Sequence, residues 1–433
     1  MPQQRIGLAG FGTVGQALAR QLTEEAQRYR RELGLDLKLA CVFDRSFHKK
    51  ERSFVPAEVE FTADLEDFQD KGPDIVVELL GGEHPADELI RGSLERGRSV
   101  VTANKLLMAR HGPDYLRLAT MRGAFLGFEA AVGGGIPVLR TLRRSLFSDQ
   151  VVRLRGILNA TCNFILSEMA SSGADYHQAV SRAQRLGYAE ADPSLDVSGR
   201  DAADKLGILS ALCFGVWPPP DSIPVQGIEA LDAVDFRYAR KLGYALRPLA
   251  SASLQDGEGP PRLRVSPFMV SRDLPLSKIE GEVNAVEIEG RRLGSTVLSG
   301  PGAGGSATAV SAASDVLNAA LWRQGQGAFY AAPYLVAQDI QAADASAEAY
   351  PFYLRFFVRD RTGILAALAG ILHRHGINIH SVVQEAWDDP ADLPFVITVE
   401  PTSFSSLEAA VADMAQLDFH TRPPLALPIL ESR

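Results

Sequence analysis

The sequence predicts an α/β protein: a doubly wound parallel sheet first, an α+β region after it, and a small β-α-β-β-α-β module at the end. Three observations carry this. An apolar run, Arg5-Ile-Gly-Leu-Ala, enters Gly10-Phe11-Gly12-Thr13-Val14-Gly15, and a helical pattern follows. Short β-branched runs then alternate with amphipathic stretches as far as Phe128. Past Tyr350, strand and helix patterns come in the order of a ferredoxin-like fold.

The first element has the strand–turn–helix form of a Rossmann-type dinucleotide site. Gly10 permits the tight turn, Gly12 lets a pyrophosphate approach the backbone, and Gly15 lets helix and strand pack closely. The phosphates then sit on the N–H groups of the helix start. Alone the motif is weak. Its context strengthens it, because Val14, Leu18 and Leu22 fall on one helical face. A second strand, Leu37 to Phe43, ends in Asp44-Arg45, where such folds place the adenosine ribose. An acid there suits the ribose hydroxyls of NAD and an arginine the extra phosphate of NADP. Both residues are present, so the choice stays open. Asp74–Leu79, Ser99–Ala103 and Ala124–Phe128 read as further strands of this sheet. Gly81-Gly82, Asn104-Lys105 and Glu129 follow strand ends and are expected near a nicotinamide.

Bulk properties narrow the class. A chain of 433 residues suggests about three domains. The net charge of -9 argues against a nucleic-acid partner. No apolar run reaches membrane-spanning length, and the N-terminus has no apolar signal segment. Cys41, Cys162 and Cys213 are far apart and odd in number, which suits a reducing cytoplasm without disulfides. A cytoplasmic protein with no membrane partner is expected. The histidines show no zinc-type spacing.

From residue 137 to 305 the character changes. Helical stretches at Asn163–Ser171 and Asp201–Leu212 precede strand-like Arg262–Val265 and Asn284–Ile288, as in an α+β substrate and dimerisation domain. A small-residue helix in 306–330 follows a second glycine-rich turn and is expected to complete the nucleotide domain, 1–136. Residues 338–349 read as a small, polar linker. The last module, 350–433, has strands at Tyr350–Phe357, Ile377–Gln384, Phe395–Glu400 and Pro428–Leu430, with helices at Ile364–His375 and Ser403–Leu417.

The most specific stretch runs from Gly187 through Glu190, Asp192 and Asp196 to Asp201 and Lys205. It begins as a loop and turns helical at Asp201, which puts Asp201 and Lys205 one turn apart on one face. The plain reading is a surface ion pair worth about 0.3–0.5 kcal/mol. Against it, Leu206, Ile208 and Leu209 make the surroundings apolar. Burial lowers a lysine pKa toward neutrality. Alcohol oxidation by a nicotinamide needs such a base for the hydroxyl proton.

These segments together resemble the homoserine dehydrogenase family over essentially the whole chain. The resemblance is carried by the first glycine turn, Val77-Glu-Leu-Leu-Gly-Gly82, Val101-Thr-Ala-Asn-Lys105, Phe128 to Pro137, Asn163-Phe-Ile-Leu166, Glu190 to Lys205 and Gly300-Pro-Gly-Ala-Gly304. It implies reversible oxidation of L-homoserine to L-aspartate 4-semialdehyde with NADP or NAD, on the route to threonine and methionine. By the same resemblance Lys205 is the general acid/base and Lys105 assists it. Glu190 and Asp201 hold the substrate. Gly187 and Gly302 touch the cofactor beside Phe11, Thr13 and Val14. A monovalent cation, sodium, is implied at Glu129 with the carbonyls of Val132, Gly134 and Ile136; the residue types alone show only a glycine loop with one acid.

The last module resembles an ACT domain through Asp360-x-x-Gly363 and Gly376-Ile-Asn378-Ile. That implies feedback by L-threonine, and a ligand-free dimerisation module is the alternative. Truncation at the linker is then expected to leave an active, threonine-insensitive enzyme. A homodimer or homotetramer is expected. Ala160, Ala307, Thr362 and the order Asp44-Arg45 depart from the family pattern. A related amino-acid dehydrogenase and a non-catalytic amino-acid sensor are the competing readings.

Overall fold

Parallel pairing of buried strands organises the first part of the chain. In the computed structural model, which describes residues 3–325, 341–387 and 389–431, six strands form one sheet. They are β1 (Gln4–Ala9), β2 (Leu37–Phe43), β3 (Glu60–Thr62), β4 (Ile75–Glu78), β5 (Ser99–Thr102) and β6 (Leu126–Gly127). Their order is β3-β2-β1-β4-β5-β6, so the winding reverses between β1 and β4. Ligands of such sheets bind at that crevice, outside the carboxyl ends of the strands. The strands are nearly all apolar because helices cover both faces. On one face Ile6, Leu8, Ile75 and Val77 pack with Leu18 and Leu22 of the Thr13–Glu24 helix. Ala312, Ala313, Val316 and Ala320 of the Gly305–Arg323 helix join the same cluster. On the other face Ala9, Cys41, Phe43 and Val76 meet Phe68 and Leu89. These residues belong to a compact unit made of Met1–Val152, Asp204–Ser222 and Ile288–Gln341.

The second unit comprises Arg153–Ala203, Ile223–Glu287 and Ala342–Arg433. Its strands include most of β7 (Val151–Ile157) and β10 (Val283–Gly290), with β8 (Tyr244–Gln255) and β9 (Glu258–Ser271). After β11 (Gly294–Pro301), which lies in the first unit's residues, come β12 (Ala349–Val358), β13 (Ile379–Gln384), β14 (Leu393–Ser403) and β15 (His420–Leu430). The helices Ile364–Arg374 and Phe404–Met414 complete the expected β-α-β-β-α-β module, whose order β15-β12-β14-β13 is ferredoxin-like. Of the expected linker and of the helical stretch 306–330, residues 338–340 and 326–330 lie outside the described residues. Ala343 bridges to Arg262, and β12 has begun by Ala349. No described helix is long and apolar enough to cross a membrane.

The module is built into its unit rather than hung from it. β15 pairs in parallel with β9 through Ile429↔Met269 and Leu430↔Val270. Tyr353, Phe357, Val396, Leu425 and Leu427 share one buried cluster with Ile165 and Met169 of the Ala160–Ser172 helix and Tyr238 and Ala239 of the Ala233–Leu242 helix. Asp235, fully buried, accepts from the Tyr353 hydroxyl at 2.8 Å and faces Arg355 at 3.4 Å. Burial pushes its carboxyl up to about 6 in spite of Arg355.

This architecture argues against a separable regulatory domain. Removing residues from 350 onward uncovers at least five large apolar contacts, each worth about 1.5–3 kcal/mol. That rivals the whole stability of a domain, about 5–15 kcal/mol. The 1–349 chain is therefore expected to aggregate or to lose cooperative unfolding in calorimetry and size-exclusion chromatography. A soluble, active and cooperatively melting 1–349 chain would restore the view from sequence.

Candidate active site

The glycine turn has the geometry its residue types call for. Gly10 sits at φ +99°, and a Cβ there would stand 2.4 Å from the Leu79 carbonyl oxygen. A Cβ on Gly15 would stand 2.0 Å from the Gly10 carbonyl oxygen. On Gly12 it would meet nothing within 4 Å, so the turn is open on the side where a pyrophosphate approaches. The helix beginning at Thr13 has no side-chain cap, which leaves its start to an anion. Phe11 is buried and packs against Phe54 and Phe61.

Asp44 turns inward. Its Oδ2 accepts from the Phe11 N–H at 2.8 Å and from Lys50 Nζ at 2.6 Å, while Oδ1 accepts from the Ser46 N–H at 2.7 Å and the Ser46 hydroxyl at 2.9 Å. Burial opposes the charge, but Lys50 and these donors outweigh it and bring the carboxyl down to about 2. Asp44 is thus a latch on the glycine turn. Arg45 beside it is exposed and Lys50 half-buried.

The second glycine loop touches the first. A Cβ on Gly305 would stand 2.7 Å from the Thr13 side chain. Gly134, at φ +59°, comes so close to Gly302 that a Cβ would lie 2.6 Å from its carbonyl oxygen. The Gly135 N–H donates to the Pro301 carbonyl at 3.1 Å. The first unit thereby brings Gly10 to Gly15, Gly302 and the 132–136 loop to one place.

Glu129 lies behind that loop, 5% exposed. Its oxygens accept from the Leu139 and Arg140 N–H groups at 2.9 Å each, and its own N–H donates to Asp315 at 2.8 Å. Burial, then the Asp315 charge, raise the Glu129 carboxyl, and burial raises Asp315 as well. The Gly134 carbonyl accepts from the Ser311 hydroxyl at 2.6 Å, and the Ile136 carbonyl from the Val138 N–H at 2.8 Å. A carbonyl has a second lone pair. One carboxylate with neighbouring carbonyls is a hard-oxygen donor set, so these residues fit a small cation that relieves two buried acids.

Lys105 opens the Lys105–Arg122 helix, half-buried. Asn104 caps that helix through the Leu107 N–H and donates to the Gly82 carbonyl at 2.7 Å. Thr102 donates to buried Glu78, whose carboxyl burial raises. Further along the same helix, the Trp217 indole donates to the Ala109 carbonyl at 2.9 Å, and its ring lies where a Cβ on Gly112 would be, at 2.0 Å.

In the second unit one amide organises the acids. Asn159 caps the Ala160–Ser172 helix by accepting from the Cys162 N–H at 2.8 Å. Its Nδ2 donates to Asp196 at 2.7 Å and to Asp201 at 2.8 Å. Asp201 is buried, whereas Glu190 and Gly187 are exposed on the loop after the Tyr176–Leu186 helix. Lys205 follows Asp201 by one turn on the Arg200–Phe214 helix, half-buried beside fully buried Leu206 and Leu209. Sequence reasoning missed Glu78, Asn159 and Asp315 as participants. The available signals were an Asn three residues before a helical Cys, and a lone acid in an alanine-rich helix.

A glycine turn at the switch point of a parallel sheet, open on one side and uncapped at the start of its helix, defines a dinucleotide-binding protein. Relatives narrow the class. The homoserine dehydrogenase family model matches residues 137–317, its NAD-binding domain matches 10–128, and an ACT domain matches 352–419. The homoserine dehydrogenase of Neisseria gonorrhoeae is 34% identical over 98% of both chains, and that of Synechocystis is 36% identical over 98% and 99%. The crystal structure of a homoserine dehydrogenase from Thiobacillus denitrificans superposes with a TM-score of 0.91 at 33% identity, covering 100% of this chain and 99% of that one. A hyperthermophilic archaeal homoserine dehydrogenase in complex with NADPH gives 0.63 at 31% identity, over 74% and 98%. The chain belongs to the homoserine dehydrogenase family and is an oxidoreductase that uses a nicotinamide cofactor.

The Glu129–Asp315 pair makes stability depend on pH. A carboxyl raised above its ordinary value of 4.5 keeps its proton in the folded state after the unfolded chain has lost it, so stability falls as pH rises past that value. Asp315→Asn removes the like charge and should flatten this fall. Its melting temperature should match wild type near pH 5 and exceed it by roughly 2–4 °C near pH 8. Parallel melting curves across that range would refute the coupling.

Proposed function

We propose that the enzyme oxidises L-homoserine reversibly to L-aspartate 4-semialdehyde and prefers NADP+ to NAD+. Bound nicotinamide supplies the hydride acceptor. Lys205 takes the hydroxyl proton as the C–H electron pair leaves, and returns a proton to the carbonyl oxygen in the reverse direction. Lys105 assists that transfer. Asp201, fixed in orientation by Asn159 one turn before Lys205, is the observation that carries the reading. With Glu190 it holds the substrate's amino and hydroxyl groups. Lys205 is half-buried beside fully buried Leu206 and Leu209 on the same helix.

The glycine turn, Gly187 and Gly302 serve the cofactor. Asp44 turns inward and is matched by Lys50, which leaves Arg45 as the exposed cation beside the ribose position and supports a 2′-phosphate. A monovalent cation held by Glu129 and the carbonyls of Val132, Gly134 and Ile136 would stiffen the loop against Gly302. The ACT module supports feedback by L-threonine, which must bind two states of the enzyme unequally.

Initial rates with homoserine, run with NADP+ and NAD+ in parallel, test the assignment. Lys205→Ala should lower kcat by roughly 10²–10⁴-fold, the span of general acid–base catalysis, with NADP+ affinity kept. Near-normal turnover would remove Lys205 from the mechanism. Arg45→Ala should raise KM for NADP+ by about ten-fold, one charge-assisted contact, and leave KM for NAD+ unmoved. Equal effects on both cofactors would place Arg45 away from the phosphate.

A further inference from the structure

We infer that Trp217 is a positioning residue for the reaction: it locks the helix that carries Lys205 onto the helix that carries Lys105, and so rests on the roles proposed above for those two lysines. All three residues belong to the first unit.

The Lys105–Arg122 helix has a place built for this side chain. Pro113 lies inside the helix. It has no N–H, so the Ala109 carbonyl, four residues back, lacks the donor that a regular helix supplies. The Trp217 indole N–H donates to that carbonyl at 2.9 Å. Gly112 is buried and lacks the Cβ that would stand 2.0 Å from the Trp217 ring. The proline opens a hydrogen bond, the glycine clears the space beside it, and one indole answers both. Burial of area alone would call for neither. Lys105, Ala109 and Gly112 are spaced i, i+4, i+7, which puts them on one face of the helix. The indole is thus seated along the face from which Lys105 starts, about 6 Å further down the axis at Ala109.

The other end of the lock is the Arg200–Phe214 helix. Lys205 stands about 14 Å along the axis from its last residue. The Gly215 N–H donates to the Ala211 carbonyl at 3.1 Å, and Gly215, at φ +72°, turns the chain out of the helix. Val216 is buried, and Trp217 follows. One rigid helix and one tight turn therefore separate the lysine from the indole. A general base must stand within hydrogen-bond reach of the proton it takes. A misplacement of about 1 Å can cost roughly a hundred-fold in rate. Sliding either helix moves one lysine against the other, and Trp217 removes that freedom.

The test pairs Trp217→Phe with Pro113→Ala in the full-length enzyme. Phenylalanine keeps a ring on Gly112 and loses the N–H. Alanine at position 113 returns a helical N–H to the Ala109 carbonyl. Trp217→Phe should lower kcat for homoserine by roughly ten- to a hundred-fold. It should also lower the melting temperature by at least roughly 2 °C, since the carbonyl is left without a donor. KM for NADP+ should not move, because the glycine turn is untouched. Pro113→Ala alone is the reference for the double variant. In the double variant the carbonyl is satisfied again, so the melting temperature should return to the reference. Its kcat should stay low, because the two helices remain untied.

Recovery of both quantities would make Trp217 a stabilising residue only and overturn its positioning role. A Trp217→Phe enzyme with wild-type kcat would do the same. Should Trp217→Phe fail to fold, the double variant and Gly112→Ala decide, the latter because its methyl group dislodges the ring while the N–H stays. Unchanged kcat in either again overturns the lock. With Lys205→Ala inactive, these outcomes strike Trp217 alone. A Lys205→Ala enzyme that turns over normally strikes the lysine assignment instead, whatever Trp217 does.

Discussion

The second unit depends on one continuous hydrogen-bonded sheet that crosses from β9 to β15. An isolated β9 would be an unpaired edge, and so would β15. Their parallel pairing at Ile429 and Leu430 removes both edges at once. It also fixes which way β12 faces. Alternate side chains of a strand point to opposite sides. Phe352 therefore meets Phe404 on the module's own helix, while Tyr353 and Phe357 join the cluster built on Ile165 and Tyr238. The buried Asp235 then has the Tyr353 hydroxyl and Arg355 as partners from the strand that packs over it.

The first unit rests on a different device, the near contact of backbones where side chains are missing. Gly15 on Gly10, Gly305 on Thr13 and Gly134 on Gly302 each close a gap that a methyl group would fill. Three loops from distant parts of the chain thereby share one wall. The polar groups left over are satisfied by capping: Asp44 on the Phe11 N–H, Glu129 on the Leu139 and Arg140 N–H groups, Asn104 on the Leu107 N–H. The N–H groups favour the charged form of Glu129, but burial and the neighbouring Asp315 charge outweigh them and push the carboxyl toward its neutral form; burial does the same to Asp315.

The fold was legible in sequence where periodicity is strong. β1, β2, β4 and β5 are short apolar runs bounded by turns, and the last module alternates cleanly. β3, with three residues, carries too little pattern to be seen, and the short Ser194–Val197 helix lies in a stretch that reads as loop. Glycine positions were legible because their reason is local. Partnerships were not. Asp44 and Arg45 are visible as types, but the 47–49 turn that brings Lys50 back onto Asp44 is a tertiary event. Glu129 and Asp315 are 186 residues apart, and no local rule pairs them. The module's attachment was hidden for a similar reason: a small, polar stretch reads as a tether whether or not the next domain is fused to the last.

The Gly305–Arg323 helix has a consequence for how the chain is made. It covers β4, β5 and β6, yet it is translated after all of the first sheet and most of the second. At about 5–20 residues per second, the ribosome needs on the order of ten to thirty seconds to pass from the end of the sheet to that helix. Through that interval the nascent sheet carries an uncovered stripe of Ile, Leu and Val. Biosynthesis thus exposes the nucleotide-binding half to chaperones and to neighbouring nascent chains for longer than a contiguous domain would be.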